Sequence, residues 1–179
     1  MSATLADATQ VLYAEALALD EQRWADWLAL YTEDALFWVP TWIEGHQLST
    51  DPMRELSLIW CQGRAGLEDR IARIRSGLSA ASRVLPRTVH AIHNVMPIEA
   101  TSHRLPGSDP APSGNTAGSC ALRSVFTVHQ LDLRSQQTQV FFGHYEHHLR
   151  QDQGRWRIAM KKIVLKNDLI PTMVDIYSL

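Results

Sequence analysis

The sequence predicts an α+β fold, with helices first and an antiparallel sheet after them. Three observations predict it. Apolar residues recur at helical spacing over 4–19, 23–31 and 67–82. Three strand-like runs, 119–133, 139–149 and 155–165, then follow one another along the chain. The turns between those runs, RSQQ (134–137) and QDQG (151–154), are too short for parallel crossovers, so the runs form an antiparallel meander.

Each element has its own reason. Thr4 can cap a helix over 4–19, with Leu5, Leu12, Leu17 and Leu19 on or near one face. Trp24, Trp27, Leu28 and Tyr31 make the stripe of a second helix, and two Trp on one stripe read as core. ALFWVP (35–40) is a short strand closed by Pro40. Residues 41–66 have no clean period and read as an irregular excursion, with a turn of helix over 54–59. Leu67, Ile71, Ile74 and Leu78 restore the helical period, with acids early and arginines later, as the helix dipole favours. Residues 88–98 alternate as a strand. LPGSDPAPSGNTAG (105–118) is too polar to pack, so a surface loop is expected over about 101–118 of a single domain spanning 1–179.

Composition removes several function classes. The chain has 179 residues, 17 Lys plus Arg against 19 Asp plus Glu, and a net charge of −2. Nucleic-acid binding demands a basic surface that this balance does not supply, and a polybasic membrane binder is equally disfavoured. No apolar run approaches the ~20 residues that span a bilayer. No basic residue precedes Arg23, so the start does not read as a signal peptide. Cys61 and Cys120 form no paired motif, which fits a reducing, cytoplasmic location. All three lysines, Lys161, Lys162 and Lys166, lie late in the chain, and the other basic residues are arginine. Arginine is favoured at protein interfaces, which points to an oligomer.

Eight histidines invite a metal reading. His90 and His93 fall on opposite faces of a strand, while His144 and His148 share a face that His147 leaves. No carboxylate stands at a familiar ligand spacing, and the two Cys and two His of a Rieske centre are absent. A second possibility is acid–base chemistry in a cone-shaped interior. Asp34 beside Tyr31, with Tyr13, His90 and His129, could line such a pocket; the competing reading makes them helix-end polar groups and satisfied core partners. No GxSxG motif is present. GRAGLEDR (63–70) puts glycines ahead of a helix but lacks a P-loop lysine, so it reads as an N-terminal turn in which Arg64 pairs locally or across an interface.

Several segments carry a resemblance. YAEALALDEQRWADWLALYTEDALFWVP (13–40) resembles the N-terminal region of the small, or beta, subunits of aromatic-ring-hydroxylating dioxygenases. DPMRELSLIW (51–60) and GRAGLEDRIARI (63–74) are similar to the branch acting on benzoate, anthranilate, salicylate and related carboxylates. RTVHAIHNV (87–95), RWRIAMKKIVLKNDLIP (155–171) and DIYSL (175–179) continue the match in the family's order. The chain departs from the pattern at Ser124-Val125-Phe126 and over 143–148.

The resemblance implies a cystatin-like cone related in shape to ketosteroid isomerase and scytalone dehydratase, with N-terminal helices packed on a long curved antiparallel sheet. It implies a non-catalytic scaffold with no catalytic, cofactor or metal residues of its own. Such subunits form a trimer carrying three large (alpha) subunits, a hexamer in all. The large subunit holds the Rieske iron–sulfur cluster and mononuclear iron, fed from NADH through a reductase or ferredoxin. Trp42, Trp60, Arg64, Asp69, Arg70 and Arg73 are the expected subunit-interface residues. Two other readings stay open here: a stand-alone isomerase or dehydratase using Asp34, Tyr31 and His90, and a small aromatic ligand-binding protein.

Overall fold

The computed structural model describes residues 5–77, 84–99, 118–170 and 174–179. The loop expected over 101–118 lies, apart from Gly118, outside the described residues. The elements run α1 (Leu5–Asp20), α2 (Trp24–Ala29), β1 (Tyr31–Pro40), β2 (Trp42–Ile43), β3 (Gln47–Leu48), β4 (Ser57–Gln62), α3 (Arg64–Ser76), β5 (Arg87–Ile98), β6 (Ser119–Leu131), β7 (Thr138–Asp152) and β8 (Arg155–Leu165). Six strands form one sheet in the order β4-β1-β8-β7-β6-β5, and β2 and β3 make a separate small hairpin. The β6–β7–β8 meander matches the sequence expectation, whereas β1 and β4 of the same sheet precede α3, so the helices do not all come first.

Four local expectations are corrected. The sheet is mixed, because β1 joins β8 in parallel. The second helix stops at Ala29 and Tyr31 opens β1. Leu30 ends it by offering its carbonyl to the Ile158 N–H at 2.7 Å, which draws the chain into the sheet. No helix turn forms over 54–59; residues 57–62 pair with β1 instead, where Ile59 and Cys61 bury one face of a strand. The third helix begins at Arg64 and ends at Ser76, because Gly77 takes the left-handed conformation (φ 62°) that terminates helices.

The core lies between the inner face of the sheet and α1 to α3. Leu12 and Leu19 of α1, Trp27 of α2 and Leu67, Ile71 and Ile74 of α3 meet Phe37, Phe126, Tyr145, Ile158 and Ile163. Trp27 and Tyr31, four apart, meet at a 57° tilt with ring centroids 4.8 Å apart, so the aromatic stripe serves the core although it crosses a helix–strand boundary. Burying each such ring stabilises the fold by roughly 1.5–3 kcal/mol. Gly143 permits the closest approach in the sheet: a Cβ there would sit 2.0 Å from the Val164 carbonyl oxygen. A smaller apolar cluster of Leu36, Trp38 and Met160, with Trp60 against it, sits apart from this core. Register places those residues on the outer face.

Candidate functional site

Two places gather chemistry-bearing side chains: the interior of the cone and a groove beside β4. In the interior, α1 delivers Glu15 to the sheet. Its Oε1 accepts from the Tyr31 hydroxyl and from Lys161 Nζ at 2.9 Å, and Oε2 lies 3.3 Å from His147 Nε2. The Lys161 ammonium also stands 4.3 Å from the Tyr145 ring centroid. Glu15, Tyr31, Tyr145, His147 and Lys161 are each at most 1% exposed. Burial alone would raise the Glu15 carboxyl, but Lys161, His147 and Tyr31 more than reverse it and hold it well below its ordinary range. Burial lowers both His147 and Lys161, with Glu15 pulling the other way. Burial and the Glu15 charge push the Tyr31 hydroxyl far up.

These bonds tie α1 to β1, β7 and β8. Sequence reasoning missed Glu15, His147 and Lys161 in this role. Glu15 lies three residues after Leu12 and four before Leu19, on the apolar face of α1, and that placement was the available signal.

The residues expected to line a catalytic pocket are not brought together. Tyr31 is in the sealed cluster, while Asp34 lies on the surface, bound by Arg150 at 2.6 and 3.0 Å. His90 Nδ1 meets Asp20 Oδ1 at 2.6 Å, and the same carboxylate accepts from the His90 N–H and the Thr88 hydroxyl, which staples the end of α1 to β5. Tyr13 and His129 are exposed. Register puts His144 and His148 on one face of β7, as their spacing predicts, and His147 on the other, buried face.

Among the described residues the donors do not fit a Rieske or mononuclear iron site. Cys61 is on β4 and Cys120 on β6, with β1, β8 and β7 between those strands. Among the described residues no three His, Cys, Asp or Glu side chains gather closely enough to hold a metal ion. Among those residues, too, no helix is long and apolar enough to cross a membrane.

The second place is an open groove of ≈ 640 Å³ between β4 and α3, lined by Trp60, Cys61 and Gln62 on one side and Gly66, Asp69, Arg70, Ala72 and Arg73 on the other. Gly66 lets the helix approach, since a Cβ there would stand 3.1 Å from that of Cys61. Burial pushes the Cys61 thiol up, with Arg70 opposing it. Four of the six expected interface residues, Trp60, Asp69, Arg70 and Arg73, line this groove. Arg70 is engaged within the chain, donating to Asp175 Oδ1 at 2.7 Å and so holding the buried tail Ile176–Leu179. The other two lie elsewhere. Arg64 bridges Glu33 at 2.7 Å and Glu68 at 3.1 Å. Trp42 donates its indole N–H to the Leu165 carbonyl at 2.7 Å, under the Lys166 ammonium.

A six-stranded sheet packed on α1 to α3, with Glu15, His147 and Lys161 paired between them, defines an α+β cone. The profile of the family described as "Ring hydroxylating beta subunit" matches residues 14–105 and 111–172, and the chain belongs to that family. It is 37% identical to the toluate 1,2-dioxygenase subunit beta of Pseudomonas putida, over 93% of this chain and 92% of that one. It is 32% identical to the anthranilate 1,2-dioxygenase small subunit of Acinetobacter baylyi, over 94% and 93%. The crystal structure of the benzoate 1,2-dioxygenase beta subunit from Burkholderia mallei superposes with a TM-score of 0.75 at 28% identity, covering 100% of this chain and 99% of that one. A protein of unknown function with a cystatin-like fold from Nostoc punctiforme (TM-score 0.56, 13% identity, 94% and 98% covered) shares the fold alone.

Proposed function

We propose that this chain is the non-catalytic small subunit of a dioxygenase that hydroxylates an aromatic carboxylate, in the breakdown of aromatic compounds. The observation that carries the reading is membership of a subunit family, and it is supported by an interior in which Glu15, Lys161, His147 and Tyr31 are spent on one another and at most 1% exposed. The relatives named for toluate, benzoate and anthranilate share a ring bearing a carboxylate, and this supports the substrate class. The reading places this chain in a cytoplasmic hexamer of three small and three large subunits. In it the large subunit holds the Rieske cluster and the mononuclear iron and takes electrons from NADH through a reductase or ferredoxin. Trp42, Trp60, Arg64, Asp69, Arg70 and Arg73 remain its proposed interface residues. An obligate interface of this kind buries more than ~2,000 Å².

Co-expression with a large subunit of such a dioxygenase tests the reading. The expected result is a stable complex that contains iron and converts members of a benzoate panel, while the small subunit purified alone carries no stoichiometric iron and converts none. Turnover of any aromatic acid by the isolated chain would overturn it.

A further inference from the structure

We infer that the groove between β4 and α3 receives an extended segment of the large subunit, added as a further strand to the free edge of β4. The segment carries an apolar residue between two oppositely charged ones. This rests on the small-subunit reading above.

The edge is open and in phase with the groove. β4 ends the sheet, pairing with β1 alone. The Gly63 N–H donates to the Ala35 carbonyl, which sets the antiparallel alternation. Phe37 and Cys61 therefore exchange backbone bonds, while the N–H and C=O groups of Trp60 and Gln62 point away from β1. Among the described residues nothing pairs with them. Natural edges are blunted with Pro, Lys or inward charges, yet SLIWCQ contains none of these. Backbone pairing supplies affinity in strand addition, and flanking side chains supply selectivity.

The opposite wall specifies the occupant. Asp69 and Arg73 line the groove at an i, i+4 spacing, yet they form no ion pair with one another or with any other described residue. They lie about 6 Å apart along the helix axis. Residues i and i+2 of a strand are about 6.7 Å apart on one face. A strand in the groove thus sets a base against Asp69 and an acid against Arg73. The residue between them turns to the outer face, beside the Trp60 ring that meets Trp38 edge-on at 6.4 Å. A second copy of this chain does not supply such a segment. Among the described residues outside helices, the one triplet of this kind is Asp132-Leu133-Arg134. It is folded into a turn, with the Asp132 carboxylate accepting from the Arg134 and Ser135 N–H groups.

The test uses the assembled complex of large and small subunits. Amide hydrogen exchange is read at Trp60 and Gln62 in the small subunit alone and in the complex. The expected result is exchange slowed by roughly tenfold or more at both amides on assembly. Arg73→Glu and Asp69→Arg should each weaken recovery of the large subunit by roughly tenfold, with the small subunit's own melting temperature and self-association unchanged. A wild-type complex in which those amides exchange as in the free subunit overturns the inference and leaves the subunit reading standing. Protection already present when the small subunit self-associates, and unaltered by the large subunit, overturns the choice of occupant. Failure of the wild-type chain to form any complex overturns the subunit reading, and the inference with it.

Discussion

Lys161 and Arg73 are both cations, one inside the sheet and one at the groove beside β4, in opposite circumstances. Lys161 is 1% exposed, has Glu15 at 2.9 Å and rests over the Tyr145 ring. Arg73 is exposed and has no acid partner among the described residues. A charge taken out of water costs several kcal/mol and persists only where its counter-ion and hydrogen bonds are supplied from the same fold. A charge left in water needs no such partner and stays available to another molecule. The interior thus meets the Lys161 charge from within the fold, while the groove leaves Asp69 and Arg73 exposed and unpaired among the described residues.

The sharpest break of that contrast is Glu15→Gln. It leaves Lys161 ionised in the core without its counter-ion and should cost about 3–5 kcal/mol in urea unfolding. The double variant Glu15→Met with Lys161→Met removes both charges and should recover more than half of that loss. A double variant as unstable as the single would show that the pair does more than neutralise itself.

Acid tests the same region next. Below its ordinary value of 6.5, His147 binds fewer protons in the folded state than in the unfolded chain, so stability should fall as pH drops through that value. Glu15 and Asp20 are held below their ordinary 4.5 and 3.8. The stability they contribute is present above those values and lost beneath them. Burial and nearby cations lower His144 as well, so His147→Gln, which keeps a donor toward Glu15, should shrink the first stage and leave the second, as followed by denaturation midpoints from pH 7 to 3.

At the groove the expected effects shrink. Arg70→Ala removes the bond to Asp175 that holds the buried tail, and should cost about 1–2 kcal/mol by chemical denaturation. Arg64→Ala loses only surface pairs with Glu33 and Glu68, worth about 0.2–1 kcal/mol. An Arg64 variant as damaged as Arg70→Ala would show that the two arginines are not divided as described.

Much of the fold was legible because period and turn length are local. The meander followed from runs such as Ser119–Leu131 and Thr138–Asp152, whose inward residues alternate and whose turns are short. The parallel β1–β8 contact was not legible, because pairing Tyr31 with Ile158 leaves no mark in either segment. β4 was hidden for a related reason: six residues with mixed burial carry too little period to outweigh the polar run before them. The candidate site divides in the same way. The clustering of Trp60, Asp69, Arg70 and Arg73 reflects their nearness along the chain, where residue type and position had singled them out one by one. Glu15, His147 and Lys161 come together from three distant elements, so only the folded sheet unites them.

Because β8 sits between β1 and β7, the sheet has a gap at its centre until the last long strand is made. Glu15 leaves the ribosome 146 residues before Lys161 does. During that interval the nascent N-terminal half holds an acid with no cation to meet it and an aromatic stripe with nothing to cover it. Closure of the cone is therefore a late, all-at-once event in biosynthesis, and a truncated translation product would be surrendered to chaperones or proteases.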